Sequence, residues 1–199
     1  DKVQTHTSIR MNFLEEAYEA VDALDLDDPV LMCEELGDVL MQVAFHTCME
    51  QETGRFTWEQ VCDGVCQKLI ERHPNIFGTQ PGYEGITDWD ALKNKEKGRR
   101  TLADDLESVP RAMPALMRAA KLQKRAARHG AALQGADAAA LADATENLQT
   151  AQPASAQAEQ AVGELLFAAA NLARQAGVDP EQALQKANEA FCTAAGPVA

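Results

Sequence analysis

The sequence predicts an all-α fold, and three observations support that prediction. Ala, Leu, Glu and Gln, which favour helices, dominate the composition. Aromatic residues make up only 5% of the 199 residues and β-branched residues are sparse, which disfavours strands. Apolar residues recur at helical spacing along most of the chain, and no convincing strand is visible. With 46% hydrophobic residues, the chain can bury a core.

Helix-start signals fix several of the predicted helices. Asp28-Pro29 and Asp179-Pro180 each combine an N-cap residue with a proline in the first helical turn. Thr57 with Gln60 fits a capping box. Together with the apolar periodicity, these signals predict helices over about residues 6–25, 30–52, 57–72, 89–97, 114–128 and 160–175, and a last one from residue 180.

The segments between these helices predict the domain organisation. Residues 74–88 are rich in Gly and Pro and are predicted to form a loop. Residues 131–158 are Ala- and Gln-rich and are predicted to be a weak helix and a loop. A faint repeat relates residues 34–40 to residues 160–166, which indicates an ancient duplication. We therefore predict an N-terminal domain over 1–97, a linker over 98–112 and a C-terminal domain over 113–199.

Charge and cysteine content exclude several classes of protein. A net charge of −13 disfavours binding to nucleic acid over a broad surface, but a small phosphorylated ligand stays possible if a metal reverses the local charge. No apolar run approaches the length of a membrane span, so no membrane partner is expected. The five cysteines include no Cys-x-x-Cys pair and are predicted to be buried apolar thiols of a cytoplasmic protein.

An acidic stretch is the most informative feature. Residues 11–54 contain 12 Asp and Glu residues and no Lys or Arg. A solvated acidic face explains most of them, but not Glu35 and Asp38. These two lie three apart on a helix that is apolar nearly all round and is therefore predicted to be buried. Buried carboxylates need a cation or a basic side chain beside them.

The preceding helix carries the complementary acids. Glu16 and Glu19 are also three apart, and the short connection predicts that the two helices are antiparallel neighbours. Four carboxylates converging in one gap suit Mg²⁺ or Mn²⁺, with water completing the coordination, and do not suit Zn²⁺. From the residues alone, a divalent-metal site and ordinary acidic surface with ion pairs both remain open.

These motifs resemble a known family. Glu15-Glu16-x-x-Glu19, followed after 15 residues by Glu35-x-x-Asp38, is similar to the signature of the all-α nucleoside triphosphate pyrophosphohydrolases. Within that superfamily the chain resembles MazG over nearly its whole length. Further matching segments are Glu34-Glu35-Leu36-Gly37-Asp38, Arg72-His73-Pro74-Asn75 and Pro110-x-x-x-Pro114-Ala115-Leu116-x-Arg118-Ala119.

The resemblance implies a four-helix-bundle-like repeat in two tandem copies, and Mg²⁺-dependent hydrolysis of NTPs or dNTPs to monophosphate and pyrophosphate. Carried over by motif, the metal ligands would be Glu16, Glu19, Glu35 and Asp38, with Mn²⁺ as a possible substitute. Glu15 would be a further ligand or would orient the attacking water. Such sites are often completed by another subunit, so a homodimer is expected.

The resemblance also implies cations for the substrate phosphates. Lys68 and Arg72 are the first candidates and Lys93 is a weaker one, although a solvated helix end explains the first two equally well by spacing alone. The second copy keeps at most Asp143, Glu146 and Glu164. We expect it to be degenerate and to bind no metal. The alternative function is a catalytically weak or inactive NTP-binding or scaffolding protein of the same fold.

Overall fold

The structure is a computed structural model that describes residues 3–77, 94 and 96–196. All regular secondary structure in these ranges is helical, which confirms the predicted fold class. The helices are α1 His6–Asp25, α2 Pro29–Glu52, α3 Trp58–Arg72, α4 Pro74–Phe77, α5 Leu102–Glu107, α6 Ala115–Arg128, α7 Ala138–Thr150, α8 Ala156–Gln175 and α9 Pro180–Ala195. Among the described residues, no helix combines the length and the apolar character needed to cross a bilayer.

The predicted helix starts are confirmed by side-chain hydrogen bonds. The Asp28 carboxylate accepts hydrogen bonds from the amides of Val30 and Leu31 at 2.9 and 3.2 Å and begins α2. Thr57 and Gln60 form a reciprocal capping box at the start of α3. The Asp179 carboxylate accepts a hydrogen bond from the Gln182 amide at 3.1 Å, and Pro180 occupies the first turn of α9. Caps of this kind satisfy amides that lack a partner within the helix.

The chain divides into two compact units, Asp1–Asp88 and Trp89–Ala199. In the first unit α1 and α2 form an antiparallel hairpin, because Glu16 contacts Gln42 while His6 contacts Glu50. The connecting turn is short and includes Asp27 at φ +53°, in the left-handed region that Asp tolerates better than most residues. The hairpin brings the two acidic segments side by side.

Burial within this hairpin differs from the expectation for α2. The buried residues of α2 are the polar Gln42, Thr47 and Glu50, whereas α1 buries Ala20 and Ala23. The apolar side chains on the other faces of α2 are half exposed, at 51% for Leu36, 57% for Leu40 and 42% for Met41. The prediction that α2 is buried all round was wrong within this chain, because α1 and α3 cover only part of its surface.

The cysteines also differ from the expectation. All five carry free thiols and all five are exposed, because each lies on a helix face that no described element covers: Cys33, Cys48, Cys62, Cys66 and Cys192. The prediction of buried apolar thiols was therefore wrong for these residues.

Two segments that were predicted to be irregular contain helices: the predicted loop at 74–88 begins with α4, and the predicted linker at 98–112 includes α5. The segment 131–158 was predicted to hold a weak helix and a loop, and it includes α7 and the first residues of α8. Most of the helix predicted over 89–97 lies outside the described residues, although Asn94 and Glu96 are helical. The domain boundaries at 97 and 113 remain a prediction.

The second unit is held together by buried polar contacts as well as by alanines. The Gln123 side chain on α6 donates a hydrogen bond to the Phe167 carbonyl at 2.7 Å, and Asn171 on α8 donates to the Ala136 carbonyl at 2.6 Å. Both side chains are almost fully buried. Each one therefore joins a helix to a backbone carbonyl elsewhere in the same unit, where an unpaired group would be costly.

Asp105 of α5 is the centre of a buried charge cluster. Its carboxylate pairs with Arg125 at 3.0 Å and with Arg128 and His129 at 3.1 Å each. Burial acts to raise the pKa of Asp105. Hydrogen bonds from Asn94 and His129 and the charge of Arg125 outweigh burial, so the pKa lies below its ordinary value. These contacts fasten the short α5 to α6.

Candidate metal centre

Three of the predicted ligands converge between α1 and α2. Glu35 and Asp38 lie on one face of α2 because they are three residues apart, and Glu16 faces them from α1. Each residue offers one carboxylate oxygen, and these three oxygens all lie within 4.8 Å of one another. All three residues are partly exposed, so a ligand can reach them from solvent. This is the one group of three such residues found among the described residues.

Glu19 lies beside this group rather than within it. It is exposed and one helical turn from Glu16. Its pKa is raised by desolvation, by the negative charges of Glu35, Glu16 and Glu15, and by a hydrogen bond with the Glu16 side chain. The structure therefore places Glu19 in the same electrostatic field as the three converging carboxylates. Glu15 is exposed, and its negative charge contributes to the raised pKa of Glu19.

The electrostatics of the group favour binding of a cation. Desolvation raises the pKa of Glu35, and the charges of Asp38, Glu34 and Glu16 raise it further. Clustered carboxylates repel one another until protons or a cation neutralise them. Within the described part of the chain, no Lys, Arg or His forms an ion pair with Glu16, Glu35 or Asp38.

The donor set defines the kind of metal that fits. All the donors are carboxylate oxygens, which suit hard cations such as Mg²⁺ or Mn²⁺ that keep several waters in their coordination shell. Zn²⁺ sites use His or Cys ligands, and none belongs to this group. The three carboxylates therefore fit the metal that the sequence motif implied.

Sequence reasoning missed the residues that support this group. The Gln42 amide on α2 donates a hydrogen bond to Glu16 Oε1 at 3.3 Å. Farther along the same interface, Glu50 pairs with His6 at 2.5 Å and with Arg55 at 2.6 Å. The sequence signal that could have identified Gln42 is a polar residue, in a largely apolar helix, on the face that also carries the predicted ligands. Gln42 follows Asp38 by four residues and therefore shares its face.

The predicted phosphate-binding cations lie on a different helix from the carboxylates. Lys68 and Arg72 are one turn apart on α3, which packs against α2. Lys68 is exposed and Arg72 is partly exposed. Lys93 lies outside the described residues.

Among its described residues, the second unit holds no comparable group. Asp143 and Glu146 on α7 are exposed, as is Glu164 on α8, whose carboxylate accepts a hydrogen bond from Gln160 at 2.8 Å. Ala161, which aligns with Glu35 in the predicted repeat, is buried. None of these residues belongs to a group of three potential ligands within the described ranges.

Comparison with known proteins matches this site to a family. The model of the MazG nucleotide pyrophosphohydrolase domain matches residues 4–77, which include all the acids of the candidate centre. The nucleoside triphosphate pyrophosphohydrolase of Escherichia coli is 39% identical over 200 residues, covering 96% of this chain and 76% of that protein.

Two further relatives carry similar names. The nucleoside triphosphate pyrophosphohydrolase/pyrophosphatase MazG of Thermotoga maritima is 38% identical over 193 residues, which cover 96% of this chain and 74% of that protein. A nucleoside triphosphate pyrophosphohydrolase of Mycobacterium tuberculosis is 37% identical over 131 residues, or 64% of this chain and 39% of that protein. The chain therefore belongs to the MazG family of nucleotide pyrophosphohydrolases.

Proposed function

We propose that this chain hydrolyses nucleoside triphosphates, with ribose or deoxyribose, to the nucleoside monophosphate and pyrophosphate. The observation that carries the proposal is the convergence of Glu16, Glu35 and Asp38 within 4.8 Å, inside the segment that matches the family domain. Relatives that cover most of the chain are named for this activity, which supports the same reaction.

In this proposal Glu16, Glu19, Glu35 and Asp38 hold Mg²⁺, which Mn²⁺ could replace. A bound divalent metal neutralises phosphate oxygens and lowers the pKa of a coordinated water. Glu15, beside the cluster, orients the attacking water or accepts its proton. The water oxygen bonds to the α-phosphorus, the bond from that phosphorus to the bridging oxygen breaks, and pyrophosphate leaves with both electrons of that bond.

Cations on the neighbouring helix complete the proposed substrate site. Lys68 and Arg72 project from one stretch of α3, and α3 packs against the helix that carries Glu35 and Asp38. We assign them, together with Lys93, to the β- and γ-phosphates of the substrate. Charge-assisted hydrogen bonds to phosphate oxygens would add binding energy where the carboxylates alone would repel the substrate.

We further propose that the protein is a homodimer formed through the first unit. Large apolar side chains of its three long helices are about half exposed: Tyr18, Val21, Leu24, Leu36, Leu40, Met41, Val65, Leu69 and Ile70. Exposed large apolar side chains in this number are typical of a surface that packs against a partner. A second copy of the chain supplies the same surface, so a twofold interface would cover both sets.

The alternative is a weak or inactive nucleotide-binding member of the same family. The loss of the acids from the second unit favours this reading if the activity of the lineage depended on both copies. Under the favoured proposal the second unit binds no metal and each chain has one active site.

One experiment separates these two functions. The protein is incubated with each of the eight common NTPs and dNTPs in the presence of Mg²⁺, and pyrophosphate release is measured, with a chelated sample as the control. Pyrophosphate release that requires the metal supports the enzyme. Nucleotide binding without release supports the alternative, and neither binding nor release contradicts both.

A further inference from the structure

We propose that Gln42 is a positioning residue of the metal centre, which holds the Glu16 carboxylate in the orientation that binds the cation. The inference rests on the proposed function, because it requires a metal bound by Glu16, Glu35 and Asp38. It assigns a role to a side chain that is neither a ligand nor a substrate contact.

Gln42 lies next to the three converging carboxylates. Gln42 is four residues after Asp38 and seven after Glu35, so the three share one face of α2. Its side chain is directed into the α1–α2 interface, where it is only 4% exposed. There Nε2 donates to Glu16 Oε1 at 3.3 Å, across the gap between the two helices. The contact therefore links the ligand from α1 to the helix that carries the other two.

The other end of the amide gives no second reason for a glutamine at this position. Gln42 Oε1 is buried and accepts no hydrogen bond from a described residue. A buried acceptor without a partner destabilises a fold, so an apolar side chain would be the better choice for packing alone. Turning the amide around would set its oxygen against a Glu16 oxygen, which is repulsive. The benefit of a glutamine at this position therefore lies in the bond to Glu16.

A neutral donor is the suitable chemistry for this task. A Lys or Arg at residue 42 would pair with Glu16 and compete with the metal for its charge. An amide N–H fixes the carboxylate plane and leaves its negative charge available to the cation. Metal-binding carboxylates are commonly oriented by hydrogen bonds of this kind, and loss of such a partner weakens metal binding.

The test replaces Gln42 with Met, which keeps the length and volume of the side chain and removes both amide groups. Binding of Mn²⁺ to the full chain is measured by electron paramagnetic resonance, without nucleotide. We expect Gln42→Met to weaken Mn²⁺ binding by about 10-fold or more. The midpoint of urea unfolding of the metal-free protein should stay equal or rise, because the unpaired acceptor is removed.

Thr47→Val is the matched control. Thr47 is also a buried polar residue of α2, and its hydroxyl donates back to the Val43 carbonyl at 2.8 Å. This variant should bind Mn²⁺ as the parent does. If Gln42→Met does not fold, Gln42→Leu is measured in its place.

The outcomes separate the two proposals. A parent protein that binds no Mn²⁺ contradicts the metal centre itself. If the parent binds Mn²⁺ and Gln42→Met binds it equally well, the metal centre stands and the positioning role is overturned. A loss of affinity in both Gln42→Met and Thr47→Val would mean that packing of α2 controls the site, which also overturns the role of the amide.

Discussion

His6 and His46 meet edge to edge across the α1–α2 hairpin, with ring centroids 4.9 Å apart and planes 7° from parallel. Their Nδ1 atoms are 2.6 Å apart, so one ring must donate a proton to the other. His6 also pairs with Glu50, which Arg55 neutralises from the other side. The start of α1 is therefore fastened to the end of α2 by groups whose charges depend on pH.

This arrangement predicts a loss of stability in mild acid. Desolvation lowers the pKa of His46 below its ordinary value of 6.5, and the neighbouring His6 lowers it further, against the opposing effect of Glu50. Between pH 6.5 and the lower folded pKa, the unfolded chain binds more protons than the folded chain. The free energy of unfolding should therefore fall as the pH drops below 6.5.

Urea unfolding followed by circular dichroism on both sides of that pH measures the effect. His46→Gln should flatten the dependence, because the titrating ring is gone. A parent protein equally stable on both sides would contradict the prediction.

Loss of a central carboxylate should abolish turnover without unfolding the protein. For Glu35→Gln we expect pyrophosphate release to fall by about 100-fold or more, because metal catalysis contributes several kcal/mol and each 1.4 kcal/mol is a factor of ten. Stability should be equal or higher, since the repulsion among Glu16, Glu35 and Asp38 is relieved. Glu34→Gln is the matched control: Glu34 is adjacent and exposed, and it lies outside the converging group. Equal losses in both variants would refute the assignment.

Removal of a proposed phosphate-binding cation should weaken binding of the substrate. Lys68→Ala is expected to raise KM by about 10-fold, as for the loss of one charge-assisted hydrogen bond, and to leave Mn²⁺ binding unchanged. Lys186→Ala on α9 removes an exposed lysine of the second unit and serves as the control. Steady-state kinetics would show an unchanged KM in Lys68→Ala if the lysine is only a solvated residue at a helix end.

A charge on the exposed apolar face of α2 should separate the proposed homodimer. Leu40→Glu places a carboxylate where a second copy would pack, and desolvating it would cost several kcal/mol. Light scattering coupled to size-exclusion chromatography should then give the mass of a monomer. Phe191→Glu adds the same charge at an exposed apolar position in the second unit and should keep the dimer. A dimeric Leu40→Glu protein would exclude this face as the interface.

The buried cluster around Asp105 predicts that substitution of this residue lowers the stability of the fold strongly. Asp105 is distant in sequence from the candidate metal centre. Its side chain is 1% exposed, and Asp105→Asn leaves the buried Arg125 without its counter-charge. Breaking such a pair typically costs about 3–5 kcal/mol. Urea unfolding measures the change, and Glu107→Gln on the exposed side of α5 should stay within about 0.5 kcal/mol of the parent. A comparable effect of the two substitutions would show that the cluster adds little.

Features set by neighbouring residues could be predicted from the sequence. The caps at Asp28, Thr57 and Asp179 are interactions over two or three residues, so their patterns alone located the helix starts. The convergence of Glu16 with Glu35 and Asp38 was also predictable, because two helices joined by a short turn pack as antiparallel neighbours.

Features that depend on distant contacts were missed. The apolar composition of α2 does not show which surface, if any, covers Leu36 and Leu40. The prediction that α2 is buried was therefore wrong for these side chains, because the first unit covers α2 only in part. Helix α5 has six residues and too little periodicity to be recognised, and it is held by the contact of Asp105 with Arg125. The bond from Gln42 to Glu16 spans 26 residues and has no local signature.

The short turn between α1 and α2 affects how the protein can fold during its synthesis. The three converging carboxylates are contained within a stretch from Glu16 to Asp38, so closing the hairpin brings them together at a small entropic cost. Contacts this local can form without the rest of the chain, and a chain emerging from the ribosome presents them before the second unit has been synthesised. The order of synthesis therefore allows the candidate cation site to assemble on the nascent chain, independently of the half that follows.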